Sequence, residues 1–291
     1  MALRVRRPDL LEPQTFIAFA AVGLFAGTIA SLLGVGGGIV FMPAVFYYYS
    51  LSSTDADFAV KSAVATSLAM IVFTAMSGGL GHLRKGNYVP GALRWLVPGS
   101  VAGAAAGSHF ALIVHGESIK AAYAVFLFII AIQMAFGKDS RRDCEEAGAD
   151  NGVRIQAIPL LLVGLVSGVL SGFVGGGGGV IIVPALYFLT RSSITKCVGE
   201  STLLIIFTSV AGTTRFILTT PPGIEAPLMV GYVNVAICAA MVPAAILGAR
   251  LGVSISSRVN PNVLRRAFSG VCVFIGLEMI NAFALIQNYL R

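Results

Sequence analysis

Charge is what this sequence has least of: Asp, Glu, Lys and Arg together make up 11% of the 291 residues, against about 25% in a soluble domain. That shortage excludes an ordinary water-soluble fold. Cysteine is scarce as well. Cys144, Cys197, Cys238 and Cys272 show neither paired spacing nor a neighbouring histidine, which argues against a disulfide scaffold and a zinc site. The three histidines, His82, His109 and His115, share no metal-ligand spacing, so neither a metal nor another cofactor is expected. The net charge of +7 comes from 20 basic residues scattered between apolar runs. They form no basic face, so nucleic acid is not an expected partner.

What the chain has instead is apolar length and glycine. Hydrophobic residues make up 56%, and 34 glycines with 12 prolines exceed what a soluble bundle accepts but suit membrane helices. A bilayer core of about 30 Å takes about 20 apolar residues per helix. The runs 13–54, 62–83, 95–116, 121–137, 155–190, 201–214 and 226–249 hold no charged residue, and 267–290 holds only Glu278. The lipid bilayer is therefore the chain's first partner. Runs 13–54 and 155–190 are too long for one crossing and too short for two with a loop, so each must contain something irregular. Arg4, Arg6 and Arg7 before an apolar segment outline a cleavable signal peptide, but that segment recurs later in the chain, which favours a permanent span.

The recurrence is extensive. GLFAGTIASLLGVGGGIVFMPAVFYYY from Gly23 matches GLVSGVLSGFVGGGGGVIIVPALYFLT from Gly164 at a constant offset of 141. KSAVATSL from Lys61 then pairs with KCVGESTL from Lys196. Pro98, Gly103 and Gly107 pair with Pro243, Gly248 and Gly252, and Lys120 and Gln133 with Arg265 and Glu278. The expected organisation is an N-terminal tail (1–14), a first membrane repeat (15–137), a charged connector (138–156) and a second repeat (157–291). The fold class is an all-α polytopic membrane protein. Each repeat is a glycine-tipped helical hairpin, broken or re-entrant, followed by three transmembrane helices.

Three full crossings per half would invert the second repeat relative to the first. Cytoplasmic loops then carry 13 basic residues and outside segments seven, while the parallel alternative gives 12 and eight. Lysine and arginine set orientation, but here they barely separate the two. Inversion is favoured because a 35-residue hairpin with a glycine tip fits two arms meeting at mid-depth. It leaves Arg4, Arg6 and Arg7 outside, against the rule.

Irregular backbone survives at membrane depth only when buried in protein or lining a cavity. The tips Gly34, Gly36, Gly37, Gly38 and Gly175, Gly176, Gly177, Gly178, Gly179 are thus expected to face each other inside. Pro43 and Pro184 fall in the first turns of the following helices, where a missing N–H matters least. Two helix N-termini aimed at one space suit an anion. Gly99, Gly103 and Gly107, at four-residue spacing, are packing glycines instead. Neither tip continues into the Lys and Ser or Thr of a nucleotide P-loop.

For other residues two readings stand side by side. Thr66 and Ser67, with repeat partners Ser201 and Thr202, either reach an oxyanion or bond back one turn. Glu278, in the last span, is a candidate proton-coupling group, and so is Glu200, which otherwise pairs with Lys196. Arg215 lines an anion path or ends its helix. Lys61 and Lys196 snorkel to the headgroups or draw substrate to an entrance. Trp95 and Tyr47–Tyr49 read as interface anchors. No nucleophile with a nearby base stands out on one helix, so the chain is not read as an enzyme, with an intramembrane hydrolase as the weaker alternative.

The duplicated helix, the GVGGG and GGGGG tips with proline five residues on, the ATSL and ESTL helix starts, and the VPGSVAGAAAG and VPAAILGARLG segments resemble the sulfite exporter TauE/SafE family, the TSUP permeases. The resemblance runs over about 15–287. It implies a multi-pass protein of the cell membrane, the inner membrane in prokaryotes. It also implies transport of small sulfur-containing anions: sulfite, sulfoacetate and other organosulfonates, or thiosulfate. The tip glycines would be the substrate-facing motif. Glu200 departs from the pattern, standing where a small residue is expected. An anion channel or uniporter for another small anion is the competing reading, and oligomeric state is not legible.

Overall fold

Apolar runs in a bilayer can satisfy their own amides as helices, and the computed structural model is helical almost throughout. It describes residues 13–33, 36–51, 55–136, 156–221, 228–255 and 261–280. Gly34, most of the 1–14 tail and nearly all of the 138–156 connector lie outside the described residues.

The first repeat consists of α1 (Pro13–Leu33), α2 (Gly38–Leu51), α3 (Ala56–Arg84), α4 (Leu93–Ile113) and α5 (Gly116–Phe136). The second repeats that order with α6 (Ala157–Val174), α7 (Gly179–Thr190), α8 (Ile194–Ile217), α9 (Val235–Ile255) and α10 (Pro261–Met279). Between α8 and α9 a short hairpin pairs β1 (Met229–Val230) antiparallel with β2 (Val233–Asn234). Helices α1, α3, α4, α5, α6, α8 and α9 are long and apolar enough to cross a membrane, which makes this a multi-pass membrane protein. The arms α2 and α7, with 14 and 12 residues, reach only about 21 and 18 Å at 1.5 Å per residue. They are too short to cross alone.

Helix starts follow local chemistry. The Asp55 carboxylate caps α3 by accepting from the Phe58 amide at 3.1 Å, and Ser193 caps α8 by accepting from the Lys196 amide at 3.4 Å. At the end of α6, Gly175 turns left-handed (φ 74°) and its amide donates back to the Ser171 carbonyl at 2.8 Å, as a helix-terminating glycine does.

The helices pack across the repeats. Helix α1 lies on α9, and α4 on α6. A Cβ on Gly23 or Gly27 would strike the carbonyl of Met241 or Ala245, and one on Gly248 or Gly252 that of Leu24 or Thr28. On the equivalent seam, Gly99, Gly103 and Gly107 rest on Leu161, Leu165 and Val169, while Gly164, Gly168 and Gly172 rest on Leu96, Ser100 and Ala104. The packing role expected of Gly99, Gly103 and Gly107 is what the structure shows. Residue numbers rise together along both seams, so each pair runs parallel.

The equivalent helices α3 and α8 meet in the opposite sense. A Cβ on Gly212 would be 3.0 Å from Leu68, and one on Gly78 3.5 Å from Thr202, so α3 and α8 run antiparallel. The same holds for α5 and α10, where the Ser269 hydroxyl donates to the Ala131 carbonyl at 2.8 Å and Gly276 lies near Phe128. Helix α3 forms the centre: its apolar window is 89% buried, against 39% for α1.

Candidate functional site

Both hairpin tips are buried, and they touch. A Cβ on Gly38 would strike the Gly175 carbonyl and lie 2.8 Å from the Gly176 Cα; one on Gly36 would lie 3.5 Å from the Gly177 Cα. Glycine is required at this contact for its absent side chain and also for its backbone. Gly36 and Gly37 have φ of 92° and 76°, and their repeat counterparts Gly177 and Gly178 have 83° and 71°. An L-residue pays for such angles. The matched left-handed pairs turn each chain into the helix that follows, α2 from Gly38 and α7 from Gly179.

These turns start the helical hydrogen bonding. The Val40 and Phe41 amides donate to Gly37, and the Ile181 amide to Gly178; the amides before them precede the helical ladder. Three other carbonyls here are tied back by buried hydroxyls. Ser67 donates to the Gly175 carbonyl at 2.8 Å, and Tyr123 to Ile39 at 2.9 Å and to Gly38 at 3.3 Å. The side chains met by Cβ positions on Gly36, Gly37, Gly175, Gly176 and Gly178 belong to Ile205, Phe41, Ala30, Ser67, Val64, Phe126 and Ser171, all uncharged. Helix N-termini among uncharged side chains favour negative charge over positive.

Pro43 lies farther along than its sequence position suggested. Helix α2 begins at Gly38 itself, so Pro43 is its sixth residue and sits in the second turn. There its missing N–H leaves the Ile39 carbonyl without the usual donor four residues on. Tyr123 supplies that donor. Tyr123 is fully buried and was not singled out in the sequence. Its only signal was a lone hydroxyl in an uncharged run.

The four helix-start hydroxyls divide. Ser67 reaches the second tip, and also bonds back to Val64 at 3.2 Å. Thr66 accepts from the Asn234 amide at 3.0 Å, so it holds the α8–α9 hairpin and does not serve the tips. Thr202 bonds back to Val198 at 2.8 Å, and Ser201 is fully buried.

The charged candidates lie away from the tips. Lys61 is 7% exposed and is neutralised by Asp57 at 2.8 Å, so it does not snorkel freely. Asp57 also accepts from the Gly116 amide, tying α3 to α5. Glu200 is buried and accepts from the Val89 amide at 3.1 Å, with the Leu93 amide also in reach. It organises the entry to α4 and does not pair with Lys196. Arg215, in the last turn of α8, meets the His109 ring nitrogen Nδ1 at 2.8 Å. Glu278 is exposed, one residue from the end of α10, and does not project into the bundle interior. Lys196 is half-exposed in the first turn of α8.

The aromatic candidates also separate. Tyr47 is exposed, and the Arg94 guanidinium lies 5.5 Å above the half-exposed Trp95 ring. Tyr49 is instead buried. It shares a hydrogen bond with Ser62 at 3.1 Å and accepts from the Asn234 side chain at 2.9 Å, while Ser62 donates to the Tyr232 carbonyl. It is a strut beneath the α8–α9 hairpin, not an interface anchor.

Two matched sets of helices, two short apolar helices and buried glycine turns define a polytopic membrane protein of the transporter class. The chain belongs to the sulfite exporter TauE/SafE family, whose profile matches residues 19–279. It is 25% identical over 280 residues to the probable membrane transporter protein YunE of Bacillus subtilis, covering 92% of this chain and 98% of that one. It is 26% identical over 270 residues to the probable membrane transporter protein MJ0441 of Methanocaldococcus jannaschii, covering 89% and 93%. A probable membrane transporter protein of Haemophilus influenzae is 25% identical over 272 residues, covering 91% and 98%. No solved structure matches the chain.

Proposed function

We propose that this protein is a secondary transporter that moves small sulfur-containing anions, sulfite or organosulfonates, across the membrane. The observation that carries the reading is the contact between the two buried glycine tips. The Gly175, Gly38 and Ile39 carbonyls beside it are held by Ser67 and Tyr123, and the first amides of α2 and α7 precede the helical ladder. Amide dipoles replace an anion's hydration without a fixed counter-charge, so binding stays weak enough for release.

The antiparallel passage of α3 past α8, and of α5 past α10, supports repeats of inverted topology. In that arrangement the site is exposed alternately to the two sides as packed elements rock around it. The uncharged surroundings of the tips imply that the anion crosses with its charge uncompensated, driven by its own gradient and the membrane potential.

The test is sulfite flux in proteoliposomes. Gly37→Val and Gly178→Val place β-branched side chains at φ of 76° and 71°, where a Cβ already stands 2.9 Å from Phe41 and 2.8 Å from the Ser167 carbonyl. Both variants should insert in the membrane and lose flux. Wild-type flux from either would refute the site. Flux proportional to sulfite at all concentrations, without saturation, would identify a channel.

A further inference from the structure

Membrane helices offer each Ser and Thr a carbonyl one turn back, and this interior uses that outlet repeatedly. Ser167 bonds to Gly164 at 3.0 Å, Thr208 to Leu204 at 3.0 Å and Ser209 to Ile205 at 2.6 Å. Ser171 and Thr213 depart from the pattern. They are 1% and 7% exposed, and neither hydroxyl has a hydrogen-bond partner among the described residues. An unpaired buried hydroxyl is destabilising, so two of them in one region require an account.

Their placement supplies it. The Ser171 Cβ lies 3.4 Å from the Cβ position on Gly178, the left-handed N-cap of α7. That sets the Ser171 side chain beside the amides that open α7. The turn of α8 that carries Thr213 packs on the turn of α6 that carries Ser171, since the Cβ position on Gly212 is 3.8 Å from the Cα of Gly172. The first repeat has no equivalent: Ser171 corresponds to Ala30 and Thr213 to Gly78. There the same contact is made without a hydroxyl: a Cβ on Gly37 would lie 3.3 Å from the Ala30 methyl.

We propose that the anion is held on the second tip alone. Ser171 and Thr213 donate to its oxygens together with the first amides of α7, and the first tip acts as a wall. The inference rests on the transport reading above and deepens it by making the site asymmetric. Hydroxyls and amides that all donate select an oxyanion whose oxygens only accept, as those of a sulfite or sulfonate group do.

The experiment is calorimetric titration of the purified full-length protein with sulfite, alongside its melting temperature without ligand. Ser171→Ala and Thr213→Val should each weaken binding about tenfold. The melting temperature should hold or rise, because the substitutions remove unpaired groups. Ser108→Ala, which deletes a hydroxyl bonded to Ala104, should leave sulfite affinity unchanged. Affinities within about twofold of wild type in both site variants would overturn the assignment while leaving the transport reading intact. So would a fall in melting temperature or a failure to fold, since either would mean the hydroxyls are structural. A wild-type protein that does not bind sulfite would overturn the transport reading and this inference with it.

Discussion

Replacing Tyr123 with Phe deletes one oxygen from the fully buried interior and tests how the first tip is held. The hydroxyl donates to Ile39 at 2.9 Å and to Gly38 at 3.3 Å. Ile39 depends on it because the residue four positions on is Pro43, which has no N–H to give. Stranding that buried carbonyl should cost about 1–3 kcal/mol. In a Pro43→Ala background the amide of residue 43 satisfies Ile39, and the same Tyr123→Phe change should then cost only about 0.5 kcal/mol, for the longer bond to Gly38. Pro43→Ala alone should hold or raise stability, since proline is poorly suited to a helix interior. The assay is a double-mutant cycle on unfolding of the four purified proteins in one detergent. A coupling of about 1 kcal/mol or more is expected. If Tyr123→Phe costs the same in both backgrounds to within about 0.3 kcal/mol, the proline and the tyrosine are independent, and the explanation of the tip is wrong.

Other consequences are open to measurement. Gly103→Val or Gly168→Val should force α4 and α6 apart, because a Cβ at either position meets backbone of the facing helix; the expected result is loss of folded protein on size exclusion, and a normal yield would contradict the seam. Asp57→Asn leaves Lys61 buried without its partner and should lower stability by about 1–3 kcal/mol, largely recovered by adding Lys61→Met, which melting curves of the three variants would show. Sulfite flux should follow an imposed potential, since each elementary charge crossing the membrane is worth about 2.3 kcal/mol per 100 mV. Flux indifferent to a potassium diffusion potential would mean that a compensating ion travels with the anion.

Much of this architecture was legible because glycine has few uses in an apolar run. The offset of 141 marked the two hairpins, and the four-residue series in α4 marked a packing face whose partner, α6, no local pattern names. The side-chain roles were harder to read because partners lie far away in the chain. Tyr49 looked like an interface aromatic, yet its hydrogen-bond partner Asn234 is 185 residues on. Glu200 looked placed to pair with Lys196, yet the amide it accepts from belongs to a turn 111 residues earlier. Glu278, central to an apolar run in sequence, is exposed one residue from the end of α10. Pro43 misled through counting, since the helix begins on the last tip glycine.

The crossed seams bear on how the chain is made. Helix α1 rests on α9, and about 200 residues of chain lie between them. At about 5–20 residues per second of synthesis, the small-residue face of α1 waits roughly ten to forty seconds for its partner. During that interval it is covered by lipid or by whatever protein attends insertion. Helix α4, by contrast, meets α6 as soon as the connector has been made, so the second seam closes well before the first.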